Sequence, residues 1–210
     1  MNENTKAKMG KVLKILKWTV IVLVGLFGLL MLLRLPFFLE NKKTDEQVAK
    51  IHSTKLTMDD VMGKNLPPDP GAEADKTVAG IDANKNGIRD DVELAIFKEY
   101  PNSAKTRAVL LQYALALQMD TIQPFENTGN VTEVSREQSR AYDCVWQSLT
   151  DIKDYKTYIK ETDKLYTFVG ERQRNTLDRK TARAKFAEQI RSYGESDNKV
   201  CDIDLSKLLN

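Results

Sequence analysis

The apolar pattern at the start of the chain has no polar face. From Trp18 to Leu33 the residues WTVIVLVGLFGLLMLL carry no charge, Arg34 interrupts, and LPFFL extends the apolar run to Leu39. A helix that crosses a bilayer needs ~20 mostly apolar residues, and an arginine near its end can reach the interface along its own stem. A soluble helix of this length would show a polar stripe. A cleaved signal peptide would show a small-x-small site after a short apolar core, and residues 30–42, LMLLRLPFFLENK, offer none. The pattern predicts an uncleaved signal anchor over residues 18–39, behind a basic stub at 1–17.

The next stretch changes character. Residues 40–80 open with the charged run ENKKTDEQVAKIHSTK and continue into a segment with Pro67, Pro68, Pro70 and Gly71. Prolines at this density exclude regular structure, so this reads as a linker. Within it LTMDDVM can form one helical turn capped by Thr57.

In the domain expected over residues 81–210 the spacing is helical almost throughout from Asp91 onward. DVELAIFKEY stops at Pro101. NSAKTRAVLLQYALALQMD starts at an Asn102 or Ser103 cap and sets Val109, Leu110, Tyr113, Ala114 and Leu117 on one stripe. After a loop with Pro124, Gly129 and Asn130, Ser135 and Gln138 have capping-box spacing. Ile152, Tyr155, Ile159, Tyr166 and Val169 form a further stripe, closed by Gly170. Leu177, Ala182, Phe186 and Ile190 form the last, with Gly194 at the position that ends a helix. The fold class expected is all-α: one N-terminal transmembrane helix, then a four- to five-helix domain.

Charge and cysteines add compartment. The net charge is +2, but Lys6, Lys8, Lys11, Lys14, Lys17 and Arg34 oppose only Glu3 in the first 34 residues, which leaves a mildly acidic body. That is not a nucleic-acid binder's profile. Lysines ahead of the span favour a cytoplasmic N-terminus, although Arg34, Lys42, Lys43 and Lys50 weaken the contrast; residues 40–210 are expected to face outward. In such a compartment Cys144 and Cys201 can pair and tie the tail to the helices.

Residues 82–93, DANKNGIRDDVE, carry the chemistry. Calcium takes 6–8 oxygen ligands, and a twelve-residue loop can wrap them around it. Counting from Asp82, oxygens fall at Asp82, Asn84 and Asn86, the Ile88 carbonyl, Asp90 and the closing carboxylate of Glu93. Gly87 stands sixth, where the turn is sharp. Magnesium fits less well because it keeps its waters. The stretch resembles an EF-hand-type loop, closer to the extracellular variants of dockerins and thrombospondin type 3 repeats than to calmodulin. More broadly, residues 56–117 resemble segments of uncharacterised membrane-anchored bacterial proteins. The resemblance implies bound Ca2+ and a place on the outer, periplasmic face of a bacterial cytoplasmic membrane; it brings no activity. There are departures: Arg89 occupies the eighth place, normally apolar and paired with a sister loop, no second loop exists, and no helix precedes this one. A lone structural site is the expectation.

Enzymatic signatures are few. His52, the single histidine, is expected as a solvated linker residue. Glu133 with Glu137, or Asp151 with Asp154, could do acid–base work but read as solvated helix faces. No P-loop, G-x-S-x-G or G-x-G-x-x-G occurs. The expectation is a membrane-anchored, non-catalytic calcium-binding structural or interaction protein with a protein partner. The alternatives are a cell-envelope hydrolase using carboxylates, or an accessory or immunity-type subunit of a membrane complex.

Overall fold

The computed structural model describes residues 3–122, 128–191 and 199–208. Two compact units divide it, Met1–Glu46 and Gln47–Asn210. The first helix, α1 (Glu3–Ser53), runs through the first unit and ends in the second. By length and composition it suffices to cross a membrane. Its apolar side chains are uncovered, Trp18 at 66% and Phe37 at 68% exposure among them, which in water would be a large standing cost. Pro36 lies inside it and removes one backbone donor.

In the second unit the last turns of α1 bury Ile51. Then follow α2 (Met58–Val61), a short 3-10 turn at Gly71–Asp75, α3 (Asp90–Glu99), α4 (Ala104–Ile122), α5 (Thr128–Ser148), α6 (Tyr155–Gln173) and α7 (Leu177–Gln189). No strand occurs among the described residues, so the chain is all-α, with five helices of ten residues or more beyond α1.

Helix α4 is the axis of this unit and packs against α2, α3, α5, α6 and α7. Its cap is the expected Ser103, whose Oγ accepts from Thr106 N at 3.1 Å. The expected stripe is buried, but so is every residue from Arg107 to Asp120. The polar side chains among them serve irregular backbone. Arg107 donates to the carbonyls of Val61, Tyr100 and Pro101. Gln118 donates to Ala79 O at 2.7 Å. Gln112 donates to Val200 O and accepts from Asp202 N. A carbonyl taken from water without a partner costs ~1–3 kcal/mol, so these side chains let non-helical segments enter the core.

That explains why the proline-rich stretch is ordered. Residues 40–80 were expected as a linker, yet Leu56, Val61 and Ala74 are buried in the second unit, which starts at Gln47. Thr57 caps α2 as expected, and Asp60 reaches back to close a capping box. Arg179, 1% exposed, donates to Ala74 O, Thr77 O and Val78 O and pairs with Asp75. The tail is held in the same way. Cys144 and Cys201 form a disulfide, and Asp202 accepts from Leu56 N at 3.0 Å and pairs with Arg140 at 2.8 Å.

Three helix boundaries differ from expectation. Ser135 starts no helix: α5 begins at Thr128, because Val131 and Val134 extend its buried stripe toward the N-terminus. Gly170 does not break α6, which runs on to bury Gln173. Thr176 caps α7, and Leu177, expected in the core, is 77% exposed. Pro124 and Gly194 lie outside the described residues.

Candidate metal centre

The loop from Asp82 to Glu93 is shaped by its own polar atoms. Asp82 accepts from Asn86 N at 3.1 Å and from Gly87 N at 2.9 Å, folding the chain back over it. Asn84 Oδ1 and Asn86 Oδ1 accept from the amides two residues on. Lys85 and Gly87 both adopt positive φ, 59° and 86°. At Gly87 the reason is spatial as well, since a Cβ there would lie 2.6 Å from Leu115 Cδ1.

The two ends of the loop are stitched together. Asp90 N donates to Ile81 O at 2.9 Å, and both carboxylate oxygens of Asp90 accept from Ala83 N. Helix α3 starts at Asp90 and carries Asp90, Asp91 and Glu93 in its first turn, where negative charge is favoured. It turns Glu93 inward. Glu93 Oε2 accepts from Asn84 Nδ2 at 3.0 Å and from Asn86 Nδ2 at 3.1 Å. Asn84 Nδ2 also donates to Asn65 O, so the segment after α2 closes on the loop.

The charges here are peculiar. Asp90 and Glu93 are 0% and 1% exposed. Burial pushes the Glu93 carboxyl up to about 7; the two asparagine amides pull it back, and the charges of Asp60 and Asp90 add to the rise. Burial also raises Asp90, against the pull of the Ala83 bond. Neither carboxylate forms an ion pair among the described residues, whereas the other two buried acids do. Asp120 has Arg174 and Arg183, and Glu137 has Arg140 and Lys55. Buried carboxylates are normally paired or bound to a metal.

Residues 82, 84, 86, 90 and 93 are thus brought into one hydrogen-bonded loop, and Ile88 at the seventh place buries its side chain completely. Among the described residues no three His, Cys, Asp or Glu side chains gather as a ready metal cluster. Asp82, Asp90 and Glu93 are each engaged by a different set of N–H donors, and the remaining oxygens belong to asparagines.

Arg89, the departure at the eighth place, is 0% exposed. Its guanidinium pairs with Asp91 at 2.5 Å and donates to the carbonyls of Arg172 and Gln173 at the end of α6. It anchors the loop to a helix terminus. Gly80 makes room for it: a Cβ there would stand 2.6 Å from Arg89 Cδ.

The other candidate groups have partners of their own. His52 is not simply solvated; its Nε2 lies 3.0 Å from Glu133 Oε2, and Arg136 holds the same carboxylate. Asp154 caps α6 through Thr157 N, and Asp151 is exposed with Lys105 at 3.7 Å. Asp60, whose charge acts on Glu93, carries in the sequence only the signal of a helix cap. The chain matches no protein-family profile, no curated protein and no solved structure.

Proposed function

We propose that this is a single-pass membrane-anchored protein whose outward-facing helical domain binds one calcium ion at residues 82–93 and serves a structural or protein-interaction role, not a catalytic one. The observation that carries the reading is the contrast in charge compensation. Asp90 and Glu93 are as buried as Asp120 and Glu137, yet among the described residues only the latter have cationic partners. A divalent cation supplies what is missing. Asp82, Asn84, Asn86, Ile88 through its carbonyl, Asp90 and Glu93 would hold it, the asparagine amides presenting oxygen after a half-turn of the terminal group. When bound, the ion supplies positive charge and ties the irregular segment to α3; no chemical step is assigned to it.

Two further observations support the compartment. Helix α1 is long and apolar enough to span a bilayer. The disulfide between Cys144 and Cys201 suits an oxidising environment, which supports placing the second unit on the outer face of a cytoplasmic membrane. Titration of the full chain in mild detergent by calorimetry tests the metal reading: one calcium site per chain is expected, lost in Glu93→Gln. Absence of heat at millimolar calcium would refute it. A C-terminal reporter active only outside the cytoplasm tests the topology.

A further inference from the structure

Near the far end of α4 a second buried carboxylate is over-supplied with positive charge. Asp120 is 0% exposed, and its Oδ2 accepts from Gln138 Nε2 at 2.8 Å. The same oxygen faces Arg183 Nε at 3.2 Å and Arg174 Nη2 at 3.5 Å. Two guanidiniums share one carboxylate, and neither pairs with another described acid, so one positive charge is left over.

The hydrogen bonding is incomplete on both sides. Asp120 Oδ1, Arg174 Nε and Arg183 Nη1 are buried with no hydrogen-bond partner among the described residues. By covalent geometry each lies within one side-chain group's width of the contacts just named. The fully buried guanidiniums of Arg89 and Arg179 are treated differently: they meet carbonyls or carboxylates through Nε, Nη1 and Nη2 alike. Buried polar atoms without partners are uncommon, and several around one side chain call for an occupant. Water satisfies the atoms but leaves the charge. The occupant that satisfies both carries negative oxygens for the two arginines and an O–H for Asp120 Oδ1. Arg174 and Arg183 are 28% and 29% exposed, so both side chains reach the surface while the three orphan atoms lie beneath it.

We propose that Asp120, Arg174 and Arg183 form a binding site for a protonated oxyanion of the hydrogen-phosphate class, free or as a phosphomonoester. Asp120 sets the selectivity. A carboxylate acceptor favours an anion that brings a proton and repels one that does not, because a buried acceptor left facing a like charge is strongly disfavoured. Sulfate has the same shape and no O–H near neutrality.

The test is binding of inorganic phosphate, glycerol phosphate and sulfate to the full chain in mild detergent at mildly alkaline pH, by calorimetry and phosphorus NMR. Phosphate is expected to bind at least tenfold more tightly than sulfate. Arg183→Gln is expected to weaken phosphate by tenfold or more, while Arg191→Gln, at an exposed arginine, leaves it unchanged. Asp120→Asn is expected to erase the preference over sulfate. Glycerol phosphate binding alongside phosphate identifies a phosphomonoester site, and phosphate alone a free-anion site; both uphold the proposal. Equal affinity for sulfate and phosphate in the native chain, no binding at about 10 mM, or unchanged binding in Arg183→Gln would overturn it. The sulfate comparison and Arg183→Gln decide the matter even if Asp120→Asn does not fold.

Discussion

Arg89 and Gln173 meet end on: the guanidinium of the first donates to the carbonyl of the second at 3.3 Å, and also to Arg172 O at 3.2 Å, while Asp91 neutralises it from the loop side. Removing the side chain strands a carboxylate and two helix-end carbonyls. Arg89→Ala is therefore expected to destabilise the second unit by roughly 1–3 kcal/mol, the range for leaving a buried polar group without its partner. Arg89→Lys is expected to rescue only part, since an ammonium cannot match the planar fork. Denaturant midpoints of the two variants check this.

Gly87 is expected to tolerate no side chain. Its φ of 86° strains any other residue, and the new Cβ would meet Leu115 Cδ1 at 2.6 Å. Gly87→Ala should cost ~1–3 kcal/mol and weaken calcium binding, because the turn that aims Asp82 and Asn86 is displaced. Thermal melts with and without calcium separate the two effects.

The Glu93 carboxyl ties stability to pH. Its value in the folded chain is about 7, against an ordinary 4.5. The folded state without metal therefore holds a proton that the unfolded chain releases, and its stabilising contribution is complete below about 4.5 and lost as pH rises through about 7. Calcium binds the ionised form, so its stabilisation should grow over the same window. Melting temperatures across that range, with chelator and with calcium, should diverge as pH rises. In Glu93→Gln the divergence should vanish.

Reduction tests the strap. The disulfide closes a separation of 57 residues and brings Asp202 to Leu56 N and Arg140. A thiol reductant, or Cys144→Ser with Cys201→Ser, should lower stability by ~2–4 kcal/mol. A midpoint that does not move under reductant would contradict this.

Much of this architecture is legible in the residues, and the exceptions are informative. The long apolar N-terminal helix could be read because its residues leave no polar face, and α4 because Ser103 caps it and its stripe is long. Ser135 misled because capping-box spacing recurs inside helices; Val131 and Val134 outweighed it once α4 was beside them. Gly170 misled because a helix with tertiary support carries a glycine at a cost of ~1 kcal/mol. The loop's oxygens were legible from spacing alone. The pegs that order the proline-rich stretch were not: Gln118 and Arg179 find Ala79 and Val78 across 39 and 101 residues, and a local pattern holds no trace of that. Arg89 could be seen as a departure, but its helix-end partners could not.

Calcium-dependent melting of the full chain tests the central claim most directly. A cation at Asp90 and Glu93 should raise the midpoint progressively through the millimolar range, by about 1.4 kcal/mol of stability when calcium reaches tenfold over its dissociation constant. Glu93→Gln should show no rise, and magnesium a smaller one. A native chain whose midpoint is indifferent to millimolar calcium would contradict the account, leaving Asp90 and Glu93 as buried acids held by amide hydrogen bonds alone.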